Sequence, residues 1–319
     1  MSPRLLRLAL TALVLALVAS LAPNATAASK KTAVAVGIGD QSPAMFSTSA
    51  FKKLKIRKTR YFIPWNAYSD KEQRQRADDF VNAARKAKVR VLMHISTDNF
   101  EAKKAKLPSV KQYRKDVGKL VRRYKRKGVK DWGAWNEANH KTQPTYRSPK
   151  RAAQFFVEMR RLCKGCTIVG LDVLDQRGVE KYIRSFYRAV PRSQRRFVKV
   201  VGIHNYSDVN RNRTKGTRSI IKEVKKRDNV KTQFWLTETG GLVSFGRSFK
   251  CDEERAAQRT KSMFSLVKRY RRDIKRLYTY NWQGTDCTEG SFDAGLVRLD
   301  GSTRPAYDVF LKEARRFQR

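Results

Sequence analysis

Short apolar runs alternate with longer amphipathic, charge-rich segments from about residue 33 to the end of the chain. The apolar runs predict strands at Ala33–Ile38, Lys58–Ile63, Val89–Ile95, Trp132–Trp135, Thr167–Leu171, Val198–Ile203, Phe234–Thr237 and Arg276–Asn281. Most are rich in Val, Ile and Leu without clean polar alternation. That is the pattern of parallel strands covered on both faces.

The intervening segments carry helix punctuation. Ser69-Asp70-Lys71-Glu72 reads as a capping box, in which Ser69 and Glu72 satisfy each other's amides. The helix it opens has Ala77, Phe80, Val81 and Ala84 on its inner stripe. Ser109 caps a second helix, with Val110, Tyr113, Val117, Leu120, Val121 and Tyr124 on one face and Gly128 at its end. Ser148-Pro149 places a cap and then a first-turn proline ahead of Phe155, Phe156, Met159 and Leu162. Asp252-Glu253-Glu254 sets acidic groups at the positive end of another helix.

Strand–helix alternation repeated eight times predicts an α/β fold, a single-domain (β/α)8 barrel. A doubly wound open sheet is the competing architecture. It would normally place a glycine-rich phosphate loop after its first strand, and Gly37-Ile38-Gly39 lacks the third glycine.

The first 27 residues read as a cleaved secretory signal, leaving residues 28–319 as the barrel domain. Arg4 and Arg7 precede the apolar run Leu8–Leu21, and Ala25-Thr26-Ala27 supplies small residues for cleavage. The run is short of the roughly 20 residues a membrane span needs, and no later segment is long and apolar enough. The expected product is exported and has no membrane span. Four cysteines suit an oxidising compartment. Cys163 and Cys166 are spaced to staple a tight turn, and Cys251 and Cys287 then pair by elimination.

Charge adds a second theme. The chain carries 71 Lys and Arg against 28 Asp and Glu, a net +43. These cations recur in every surface helix, as in residues 121–127 and 269–272, and form no single arm or recognition helix. The spread argues against nucleic acid. It leaves a solvated basic exterior, or affinity for an anionic polysaccharide or cell wall.

In a barrel the chemistry sits at the C-terminal ends of the strands. Those ends carry Arg60 and Trp65, His94, Asn136-Glu137 and His140, His204 and Tyr206, Glu238, and Trp282. All 3 histidines of the chain lie there. Each residue alone has a structural explanation, since strand-end histidines are commonly core groups and tryptophans fill barrels. Two carboxylates ringed by Arg, His, Tyr, Asn and Trp form a pattern that packing does not require, because unpartnered buried carboxylates are costly.

This set resembles glycoside hydrolase clan A, most closely family 39 of β-xylosidase and α-iduronidase type, in a branch of secreted bacterial barrels. The resemblance runs from about Ala33 to Phe292–Leu296 and Arg304–Tyr307. It implies a retaining hydrolase of O-glycosidic bonds, with Glu137 as acid/base and Glu238 as nucleophile. Arg60, His94, Asn136, His204, Tyr206 and Trp282 match residues that surround them in the clan, with Trp65 and His140 as further substrate contacts. Retention expects the two carboxyl groups about 5–5.5 Å apart. Arg60 and Tyr206 are expected to hold Glu238 ionised. Asn136 is expected to bond the sugar 2-hydroxyl, Trp282 to form its apolar floor, and the carboxyl of Glu137 to titrate high before the covalent step.

Three other readings compete. A carbohydrate-binding pseudoenzyme would usually have lost one glutamate. A non-catalytic anionic-wall-binding barrel explains the charge alone. A metal hydrolase would need ligand spacing that His94, His140 and His204 lack, so neither metal nor organic cofactor is expected.

Overall fold

The computed structural model describes residues 33–227, 231–287 and 292–317. The signal expected at residues 1–27 lies outside them. From Ala33 onward the described residues form one compact unit.

Eight parallel strands close into a barrel in chain order. They are β1 (Ala35–Gly39), β2 (Lys58–Pro64), β3 (Arg90–Ser96), β4 (Asp131–Gly133), β5 (Thr167–Leu174), β6 (Val200–His204), β7 (Gln233–Thr239) and β8 (Ile274–Tyr280). The outer layer contains α1 (Ser49–Leu54), α2 (Lys71–Lys86), α3 (Val110–Arg126), α4 (Pro149–Leu162) and α5 (Val179–Ala189). It continues with α6 (Arg192–Arg195), α7 (Tyr206–Asn210), α8 (Lys215–Lys225), α9 (Glu253–Arg269) and α10 (Pro305–Phe317). No helix among the described residues is long and apolar enough to cross a membrane.

Local signals explain most helix starts. Ser109 and Gln112 form a full capping box on α3, and Ser148 caps α4 ahead of Pro149. Asp252 caps α9. One expectation is corrected. Asp70, not Ser69, caps α2, because its carboxylate accepts the Gln73 amide while Ser69 stays in the preceding turn.

The strand period of two builds the barrel interior in layers. Arg276 and Asp131 pair at 2.6 Å near the strand beginnings. Above them Leu92, Val169, Val200, Trp235 and Tyr278 form a closed apolar plug. Nearer the C-terminal strand ends stand Arg60 on β2, His94 on β3 and His204 on β6, all buried. The plug makes the barrel a packed core, so chemistry is confined to the layer above it.

Both cysteine pairs meet. Cys163–Cys166 joins the end of α4 to β5, and Cys251–Cys287 ties the loop after β7 to the loop after β8, with Cα atoms 5.5 and 5.7 Å apart respectively.

Candidate active site

The layer above the plug is assembled around Arg60. From β2 its guanidinium donates through Nη1 to Glu238 Oε2 at 2.7 Å and through Nε to His94 Nδ1 at 3.1 Å. Nη2 donates to Asn136 Oδ1. One planar fork thereby fixes three strand ends at once. Burial opposes the charge of Arg60, but Glu238 and Asp172 outweigh it and raise its affinity for the proton. Burial, with Arg60 alongside, pushes His94 down to about 3, so it is a neutral acceptor at Nδ1 with its proton on Nε2.

Two glycines make room for this layer. His94 on β3 is paired in register with Gly133 on β4, and a methyl group there would overlap the imidazole. At Gly202 on β6 it would overlap the Asp172 carboxylate.

Glu238 lies on β7 beside its register partner His204 on β6. Its Oε1 accepts from the Tyr206 hydroxyl at 3.2 Å, and Tyr206 opens α7. Asp175 receives the Ser207 and Asp208 amides and anchors that turn. Burial and the adjacent Glu238 push the Tyr206 phenol well above its ordinary range, so it remains a donor.

Glu137 follows β4 in the left-handed region, at φ 47°. That conformation costs roughly 1–2 kcal/mol for a residue with a side chain. Its amide donates to Asp172 Oδ2 at 3.1 Å, which holds the turn. Its Oε1 lies 2.9 Å from His204 Nδ1, and its Oε2 is 3.8 Å from His140. His204 Nε2 meets Asp172 Oδ2 at 3.0 Å. Burial alone would strip the proton from His204. The charges of Asp172 and Glu238 and the bonds to Asp172 and Glu137 instead push it up to about 10. Burial would favour a neutral Glu137, but the hydrogen bond and charge of His204 hold its carboxyl below the usual range. This corrects the expectation that Glu137 titrates high: the proton rests on its partner.

Asp172 was not anticipated. It is fully buried on β5, accepts a hydrogen bond from Thr237 Oγ1 and is ion-paired with His204. Despite burial, His204 keeps it well below the usual carboxylate range.

Not every expected residue reaches this cluster. Trp282 is buried against Phe51 of α1 and Tyr307 of α10, with its amide held by Asp40, so its ring is not an open floor. Trp65 is likewise buried in the hydrophobic core. Tyr280, in step with Tyr278 on β8, takes the interior place over Gly39. Burial and then Glu238 raise the titration of its phenol. Phe292 packs against Tyr206, Tyr280 and the half-exposed Phe245, and so continues an aromatic strip from Glu238 toward solvent. A buried Asp293–Arg304 pair at 2.8 Å anchors the segment that carries Phe292. His140 is half-buried, its Nδ1 2.7 Å from Thr142 Oγ1.

Glu137, His204 and Glu238 offer oxygen and nitrogen atoms within 4.8 Å of one another, a spacing that could suit a cation. An imidazolium at His204 has no lone pair to donate, however, and Arg60 already supplies positive charge to Glu238.

Solved structures share this fold. They include a glucosidase from Croceicoccus marinus, with TM-score 0.68 and 13% identity over 90% of this chain and 68% of that one. A xylanase, XynB, from Paenibacillus barcinonensis gives 0.64 and 14% over 88% and 95%. A family 39 glycoside hydrolase from the gut symbiont Bacteroides cellulosilyticus gives 0.60 and 15% over 89% of this chain, which spans 64% of that enzyme. No protein-family model and no curated protein sequence matches the chain.

Proposed function

We propose that the chain is an exported glycoside hydrolase that cleaves O-glycosidic bonds with retention, with Glu238 as nucleophile and Glu137 as acid/base. One observation carries this reading. Two glutamates from β4 and β7 bring carboxylate oxygens within 4.8 Å of each other, one bonded to a guanidinium and the other to an imidazole. That spacing suits direct attack, whereas inversion leaves room for an intervening water at about 6.5–9.5 Å.

The steps follow from the bonding. Glu238, fixed by Arg60 and Tyr206, attacks the anomeric carbon as the bond to the leaving oxygen breaks. The proton passes from His204 Nδ1 to Glu137 and on to the leaving oxygen. In the second step water attacks the glycosyl ester and returns a proton to Glu137 and so to His204. Oxygen and proton counts balance over the cycle. Asn136 is assigned to the sugar 2-hydroxyl, a contact that strengthens as the transition state develops. Tyr280, Phe292 and Phe245 replace Trp282 as the apolar surface beneath sugar rings, with His140 as a further contact. An acidic polysaccharide or wall polymer suits the net +43 as the matrix on which the protein acts.

A panel of aryl glycosides, neutral and uronic, run with wild type and Glu238→Ala, tests the reading. Turnover of at least one by wild type and near-complete loss in the variant is expected. Equal rates for both proteins, or no turnover of any member, would refute it.

A further inference from the structure

The opposite end of the barrel has chemistry that catalysis does not use. Arg184 and Arg188 on α5, Arg195 on α6 and Arg227 just past α8 line one pocket of 210 Å³, together with Tyr187. Among the described residues the carboxylate paired to this set is Glu223, 3.4 Å from Arg184 and 3.1 Å from Arg227. Two of the four guanidinium groups pair with Glu223, and among the described residues Arg188 and Arg195 have no carboxylate within ion-pair distance. Arg195 Nε and Nη2 donate to the Val190 and Arg188 carbonyls, at 3.1 and 3.4 Å, which fixes the guanidinium plane and leaves Nη1 to donate to an oxyanion.

Position separates this pocket from the glutamates. Arg188, Arg195 and Arg227 sit at helix ends that lead into β6 and β7, where those strands begin. Glu137 and Glu238 stand at the opposite strand ends. A second cavity, of 430 Å³, is lined by Arg160, Lys164 and Lys199, with no acidic residue among the described residues that line it. Gln194, next to Arg195 on α6, accepts from Arg160 and so links one lining residue of each cavity. A ligand with repeated negative groups can occupy both, and linked occupancy multiplies affinity.

We infer that this end of the barrel is a binding site for an acidic polysaccharide, whose carboxylate, sulfate or phosphate groups enter the four-arginine pocket. Single-stranded nucleic acid is disfavoured because it needs open aromatic rings for stacking. Phe197, which lines the second cavity, is already covered by Arg160 at 3.5 Å and Arg196 at 4.9 Å, and Tyr187 is buried. The exposed aromatics Phe100, Tyr146 and Phe245 follow β3, β4 and β7, at the catalytic end. Tethering at the far end would leave the glutamates free.

The test compares the full chain with Arg188→Ala/Arg195→Ala and with Arg122→Ala/Arg126→Ala, which removes equal charge from the exposed face of α3. Calorimetric titration at 0.1 M salt uses polygalacturonate, dextran sulfate and inorganic polyphosphate, so the preferred anion is read directly. The pocket variant is expected to weaken the tightest of these about ten-fold or more, equivalent to about 1.4 kcal/mol. The α3 control should change it less than about two-fold. Circular dichroism melts of the variants confirm that both fold. Equal losses in the two variants would show a diffuse basic coat and overturn the site. Tighter binding of a single-stranded oligonucleotide, lost in the pocket variant, would overturn the polysaccharide assignment.

Discussion

His204 Nδ1 lies 2.9 Å from Glu137 Oε1, and the opposite nitrogen of the same ring lies 3.0 Å from Asp172 Oδ2. The imidazole is clamped between two carboxylates in a site that also holds Glu238, 3.8 Å from Nδ1. A ring so placed retains its proton far above the usual histidine range, and Glu137 is ionised as a result. In the proposed mechanism the acid is therefore a pair: the proton rests on His204, which is bonded to Glu137 and backed by Asp172.

This arrangement fixes the sign of a pH effect. His204 is pushed up to about 10, so the pair is charged with its proton below that pH and loses it as pH rises through it. The alkaline limb of kcat should accordingly lie well above neutrality. Asp172→Asn removes the charge that most strongly supports the imidazolium and should draw that limb down by about one unit or more, with the acid limb little moved. A pH–rate profile on a glycoside with a poor leaving group reads it. An unmoved alkaline limb would mean that His204 does not supply the proton.

Gly133 offers a structural test. A methyl group there meets the His94 ring, whose Nδ1 receives Arg60. Gly133→Ala should cost about 1–3 kcal/mol from overpacking, although alanine is otherwise the better strand residue. Thermal melting should fall by several degrees, and turnover should fall with it as Arg60 shifts on Glu238. Unchanged melting and turnover would show that the layer is looser than the register of β3 and β4 implies.

Much of this was legible in the sequence. The eight apolar runs located every strand, and the carboxylates of Glu137 and Glu238 stood out because they ended two of them. Asp172 was hidden by a register irregularity. Pairing between β5 and β6 shifts between Val169 and Leu171, so Asp172 faces the interior where a strict period of two puts Leu171. Trp282 misled for a related reason. The interior parity of β8 runs through Arg276, Tyr278 and Tyr280, the strand then ends, and the Asp40 bond to the Trp282 amide helps to hold its ring in the helix layer. Strand positions follow from composition; which way a residue faces after an irregularity depends on pairing partners that are distant in sequence.

The two disulfides should separate by effect. In the chain-entropy picture the 36-residue separation of Cys251–Cys287 is worth about 4 kcal/mol, and the 3-residue separation of Cys163–Cys166 about half of that. The longer link also joins the loop bearing Phe245 to the one preceding Phe292. Cys251→Ser/Cys287→Ser should therefore lower the melting temperature more and raise KM, with kcat within a few-fold because Glu238 is on β7 itself. Loss of kcat with KM unchanged would contradict that division.

In the proposed mechanism Glu238 becomes esterified to the sugar. The most direct measurement uses the aryl glycoside that the protein turns over, remade with fluorine at the 2-position and an activated leaving group, so that the second step stalls. Intact-mass analysis should show one added glycosyl unit on wild type, and peptide mapping should place it on Glu238. No adduct on the active protein, or an adduct on Glu137, would contradict the account.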